Sequence, residues 1–122
     1  MLRIGSTVLG ASDVRRAAEF WARALGYVPR DGVDDRFTVL APPDGAGQNI
    51  SLMRSETPVQ EKPRVHLDLY SDTPEAEVER LLGLGATRVD WPDYPPDADF
   101  TVLADTEGNR FCVIDKPDVS AP

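Results

Sequence analysis

A chain of 122 residues with 41% hydrophobic residues has room for one compact domain and enough apolar side chains for a core, so disorder is not its default state. Its formal net charge of −8 is spread over many Asp and Glu residues with Arg residues interleaved. That pattern gives a solvated surface that mildly favours a cationic small ligand, and it lacks the Lys/Arg stripe a phosphate backbone needs, so no nucleic-acid partner is expected. No apolar run reaches bilayer length, Met1 leads into Leu2-Arg3-Ile4 without a signal-peptide pattern, and the single Cys112 has no partner for an internal disulfide. No membrane association and a reducing, cytoplasmic location are therefore expected.

In chain order, the alternation over residues 4–9 predicts a strand. Ser12 or Asp13 can then cap a helix whose apolar positions Val14, Ala17, Ala18, Trp21 and Leu25 recur at helical spacing until Gly26 ends it. Three shorter strands follow, one of them Phe37-Thr38-Val39-Leu40-Ala41 with a trailing acid-Gly turn, and the last at residues 49–53. A polar, Pro-containing stretch at residues 55–63 reads as a linker. The second half repeats the pattern: a strand over residues 65–70, a helix capped by Thr73 with Pro74 at its first position and Val78, Leu81 and Leu82 as its buried stripe, and Gly85 at its end. Phe100-Thr101-Val102-Leu103-Ala104 then repeats the earlier five residues identically, again with an acid-Gly turn, before a last strand at residues 110–114. The chain after Lys116 reads as a frayed end.

The chain thus reads as α+β, two tandem β-α-β-β-β modules at residues 1–54 and 64–117 within one domain spanning 1–122. One such module covers a single sheet face with its helix, so two are expected to form a curved mixed sheet, a cup with its helices outside. In Val65-His66-Leu67-Asp68-Leu69-Tyr70, alternation puts Val65, Leu67 and Leu69 toward the helix and His66, Asp68 and Tyr70 on the opposite face. That polar face is solvent-exposed, lines a cavity, or is buried with its hydrogen bonds satisfied.

His66 is the only histidine and the first candidate for acid–base chemistry at neutral pH, with a hydrogen-bonded structural role as the alternative. Asp68, two residues on, can orient it or bind a cationic group. Cys112 lies among Phe111, Val113 and Ile114, which offer a thiolate no stabilising charge, so it reads more readily as a small hydrophobe than as a nucleophile. Trp91 and Tyr94, in a Pro-rich acidic loop, suit a lid stacking on a planar or cationic ligand, or an edge loop packed on the sheet. Trp21, by its helical spacing, reads as core or interface. Phosphate-binding Gly-rich loops, Cys-x-x-Cys pairs, nucleophile elbows and His-Glu-x-x-His motifs are all missing from the sequence.

Leu9-Gly10-Ala11-Ser12-Asp13 leading to Phe20-Trp21 and Leu25-Gly26-Tyr27, with the closing Asp105-Thr106-Glu107-Gly108-Asn109-Arg110-Phe111, resembles the vicinal oxygen chelate superfamily, which includes glyoxalase I, bleomycin-resistance proteins and extradiol dioxygenases. Thr106 stands where that family's turn has Pro. The resemblance implies four metal-ligand positions, which fall on Ser6, near Ser51, on His66 and on Cys112. Only His66 matches the expected ligand type, so no cofactor is expected, with a divalent metal as the departure from that reading. It further implies a homodimer binding a small-molecule ligand through His66, Asp68, Tyr70, Cys112, Ser6, Ser51, Trp91 and Tyr94. The leading expectation is a metal-independent binding protein that sequesters a ligand. A lyase, isomerase or dioxygenase using His66 and a dimeric interaction module without small-molecule activity are the alternatives.

Overall fold

A computed structural model describes residues 1–117, so most of the tail expected to fray lies outside the described residues. The chain divides into two compact units, residues 1–58 and the residues from 59 onward. The first runs β1 (Ser6–Ala11), α1 (Val14–Leu25), β2 (Val28–Pro29), β3 (Phe37–Ala41) and β4 (Asn49–Arg54). The second runs β5 (Asp68–Ser71), α2 (Pro74–Leu84), β6 (Thr87–Arg88), β7 (Phe100–Ala104) and β8 (Arg110–Asp115). Each unit holds one four-stranded mixed sheet, ordered β1-β4-β3-β2 and β5-β8-β7-β6. In both, the first strand lies parallel to the last and the other pairs are antiparallel, so the α+β class and the β-α-β-β-β order hold in each half.

Local chemistry explains the helix limits. The Asp13 side chain accepts the Arg16 N–H at 3.0 Å at the start of α1, and Gly26, at φ 70°, returns its N–H to the Ala22 carbonyl at the end. Pro74 opens α2, where a missing N–H costs nothing, with Glu75 and Glu77 beside the positive end of its dipole. Thr73 holds the expected cap position but makes no side-chain capping bond. Ser71 takes over locally, its hydroxyl accepting the Thr73 N–H at 2.9 Å.

Behind the first sheet, Val14, Ala17, Ala18, Phe20 and Trp21 of α1 are buried together with Leu40, Ile50 and Leu52 of β3 and β4. Phe20 and Trp21 meet edge to face at 5.1 Å, which places Trp21 in the core. Behind the second sheet, Val78 and Leu81 of α2 are buried along with Leu103, Phe111 and Val113, whereas Leu82 is only half-buried.

The opening strands begin later than alternation predicts, at Ser6 and Asp68. Ile4 is exposed, and Val65, expected against the helix, is 80% exposed. A strand needs a partner: pairing of β5 with β8 starts at Asp68↔Cys112, preceded only by the Cys112 N–H donated to the Leu67 carbonyl. Among the described residues no helix is long and apolar enough to cross a membrane.

Candidate ligand site

Strand register makes the two halves comparable position by position. Val39 pairs with Ser51 as Val102 pairs with Cys112, and Phe37 pairs with Met53 as Phe100 pairs with Ile114. Ser51 is therefore the internal counterpart of Cys112. Across the parallel pairs, Val8↔Ser51 matches Asp68↔Cys112, so Val8 corresponds to Asp68 and Ser6, two residues before, to His66.

In the second unit these positions converge. Asp68 and Cys112 are register partners on neighbouring strands, which puts their side chains on one face, and His66 precedes Asp68 by two residues on that same side. The His66 Nε2 lies 2.9 Å from Asp68 Oδ1, and the polar atoms of His66, Asp68 and Cys112 all lie within 4.8 Å of one another. They line a pocket of about 460 Å³ whose other walls include Trp91, Phe100, Val102 and Ile114. The sequence carries no signal for the charged rim, where Lys62 pairs with Asp93 at 2.8 Å and the Arg110 guanidinium donates to the Glu61 carbonyl.

Burial, together with the neighbouring Asp68 carboxylate, pushes the Cys112 thiol up to about 11. A thiol so placed stays protonated at neutral pH, as the apolar sequence context suggests. Alkylation of Cys112 by iodoacetamide, followed by mass spectrometry, is expected to run roughly tenfold or more below that of free cysteine at pH 8 and to climb steadily toward pH 11. Asp68→Asn, which removes the negative neighbour, is expected to speed it; a rate equal to that of free cysteine contradicts this placement.

Other expected site residues lie elsewhere. Tyr94 is absent from the pocket wall: its hydroxyl accepts the Val102 N–H at 2.7 Å and its ring lies 5.2 Å from that of Phe100, so it straps the loop to the edge of β7 while Trp91 alone of the two aromatics lines the pocket. Tyr70 shares the polar face but also lies outside the wall, exposed beneath the Lys116 ammonium at 5.3 Å. Ser6 and Ser51 line a pocket of the first unit of about 730 Å³, together with Arg3 and Arg30, and their hydroxyls hydrogen-bond to each other at 2.6 Å.

The metal-ligand positions implied by the sequence resemblance thus carry two hydroxyls, an imidazole and a thiol. The hydroxyls, weak ligands at neutral pH, are already bonded to each other, and no carboxylate occupies any of the four. This set does not fit the hard divalent ion of metal-dependent relatives.

A β-α-β-β-β unit with its first strand parallel to its last, present twice in one chain, is the architecture of the vicinal oxygen chelate superfamily. Within it, a family model for the Glyoxalase-like domain matches residues 6–114, and the chain belongs to that family. Similar solved structures include a glyoxalase-related enzyme from Fulvimarina pelagi (17% identity, 93% of this chain and 88% of that one, TM-score 0.68). A glyoxalase/bleomycin resistance protein/dioxygenase family enzyme from Burkholderia phytofirmans PsJN is also similar (19%, 92% and 97%, 0.69). So is the bleomycin-binding protein from bleomycin-producing Streptomyces verticillus, solved with copper(II)-bleomycin (19%, 95% and 98%, 0.59). At these identities the likeness is one of fold. A search of curated proteins gave no match.

Proposed function

We propose that the chain binds a small, largely apolar and planar molecule in the pocket of its second unit, and that this binding does not use the superfamily's four-ligand metal centre. The observation that carries the reading is the pocket itself: apolar walls from Trp91, Phe100, Val102 and Ile114 surround the polar cluster His66-Asp68-Cys112 below the charged rim of Lys62, Asp93 and Arg110, and apolar walls with a few placed polar groups are how small-molecule sites are commonly built. The bleomycin-binding protein of the same fold supports a binding role. The pair of hydroxyls at Ser6 and Ser51 supports independence from the metal centre.

A thermal-shift screen of small aromatic compounds, run in EDTA, tests this. Hits are expected, and Trp91→Ala is expected to weaken them by roughly tenfold, the worth of about 1–1.5 kcal/mol of aromatic contact. No hit, or hits indifferent to Trp91→Ala, contradicts the proposal. An enzymatic reading draws on one observation, the 2.9 Å contact by which Asp68 orients the His66 ring as an acid–base group. Conversion of a bound hit by the native chain but not by His66→Gln would favour it.

A further inference from the structure

We infer that the first unit carries a second binding site, for a small organic anion: a carboxylate or phosphate monoester joined to an apolar body. The site is separate from the pocket of the second unit and rests on Arg3 and Arg30. Neither arginine stands at any of the four metal-ligand positions, and Arg3 precedes the stretch that the family model matches, residues 6–114.

The fold brings the two arginines together from opposite edges of one sheet. The strand order is β1-β4-β3-β2, with Arg3 just before β1 and Arg30 just after β2. The Gly5 carbonyl accepts the Asn49 N–H of β4 at 3.1 Å, and Arg30 donates its own N–H to the Val39 carbonyl of β3 at 2.9 Å, so both approaches are held by backbone. Both residues then line the same pocket of about 730 Å³. In a chain with 21 Asp and Glu against 13 Lys and Arg, no acid among the described residues lines it. The local field is therefore opposite in sign to the net charge of −8, and it favours an anion.

The guanidinium groups are open to a ligand. Arg3 makes no hydrogen bond or ion pair with the described residues. Arg30 engages Asp31 through Nε alone, at 3.0 Å, so its two terminal nitrogens can fork onto an oxyanion. The rest of the wall sets the body of the ligand: Val8 and Phe37, 48% and 44% exposed, stand with Val39 beside the cations. An inorganic ion would leave that apolar surface in water, whereas an apolar chain covers it. The internal repeat shows that the fold alone does not require these charges. The register that matches Ser6 with His66 matches Arg3 with Pro63, and the Arg30-to-Val39 bond recurs as Val89 N–H to the Val102 carbonyl. The second unit thus builds the same strands with a proline and a valine at the two cationic positions.

Titration of the ¹⁵N-labelled full chain with hexanoate, hexyl phosphate, 1-hexanol and inorganic phosphate is the test. These probes carry no ring, which keeps this site apart from the aromatic binding proposed for the second unit, so either reading can fail without the other. Both hexyl anions are expected to bind, with shifts at Arg30, Val39 and Asn49, and the tighter of the two names the head group. Arg3→Ala and Arg30→Ala are each expected to weaken binding by roughly three- to fivefold, the upper range for exposed charge pairs, and Asp31→Asn to tighten it by roughly twofold. Trp91→Ala is expected to leave it unchanged. Hexanol binding as tightly as hexanoate, inorganic phosphate as tightly as hexyl phosphate, or anion affinity indifferent to both arginine substitutions overturns the inference.

Discussion

Trp21→Ala is expected to destabilise the protein by about 3–5 kcal/mol, the usual cost of emptying a large aromatic site from a closed core. Trp21 is 1% exposed, sits edge to face on Phe20, and lies on the helix face packed against the first sheet, where Leu40 and Leu52 are fully buried. Close-packed interiors relax only in part around such a gap, so collapse relieves little of the loss. Urea denaturation followed by circular dichroism reads the effect as a lowered midpoint at nearly unchanged slope. The other tryptophan gives the contrast. Trp91 is half-buried on a loop, and Trp91→Ala is expected to change stability by less than about 1 kcal/mol. Equal losses from the two substitutions contradict the assignment of one tryptophan to core and the other to pocket.

Asp105→Ala carries the second large effect, about 2–4 kcal/mol. Asp105 is buried at 3% exposure, and its carboxylate accepts hydrogen bonds from the Glu107 N–H at 2.9 Å, the Asn109 N–H at 2.9 Å and the Asn109 side-chain amide at 3.3 Å. It holds closed the turn that joins β7 to β8, with Gly108 at φ 90° completing the reversal. Alanine leaves the donors facing no acceptor, whereas asparagine keeps one oxygen and is expected to lose less. An alanine variant as stable as the native chain would show that water replaces the carboxylate at no cost.

The repeated Phe-Thr-Val-Leu-Ala segments and the Leu-Gly helix ends make the fold legible, because identical local patterns form the same element in each half: the two segments are β3 and β7, although Thr38 is buried where Thr101 is half-buried. Positions that depend on a partner strand were less so. Nothing in Val65-His66-Leu67 says that pairing waits until Asp68, since alternation marks the faces of a strand and not where its neighbour begins. The connection from β3 to β4 is two residues longer than that from β7 to β8, so motif spacing locates the Ser51 position only approximately, whereas strand register fixes it opposite Val39. Of the candidate site, His66, Asp68, Cys112 and Trp91 come together in one pocket. Tyr94 lies outside that pocket's wall, and sequence alone does not separate its two readings, because an aromatic in a Pro-rich loop looks the same whether its hydroxyl meets a ligand or, as here, a backbone N–H left open at the edge of a sheet.

The hollow beside His66 in the second half of the chain is the claim on which the functional account stands. Amide and indole resonances of the ¹⁵N-labelled protein, followed during titration with small aromatic fragments in EDTA, test it most directly. The account predicts shifts concentrated at His66, Trp91, Val102 and Cys112. Shifts confined to other residues, or none across the series, would contradict it.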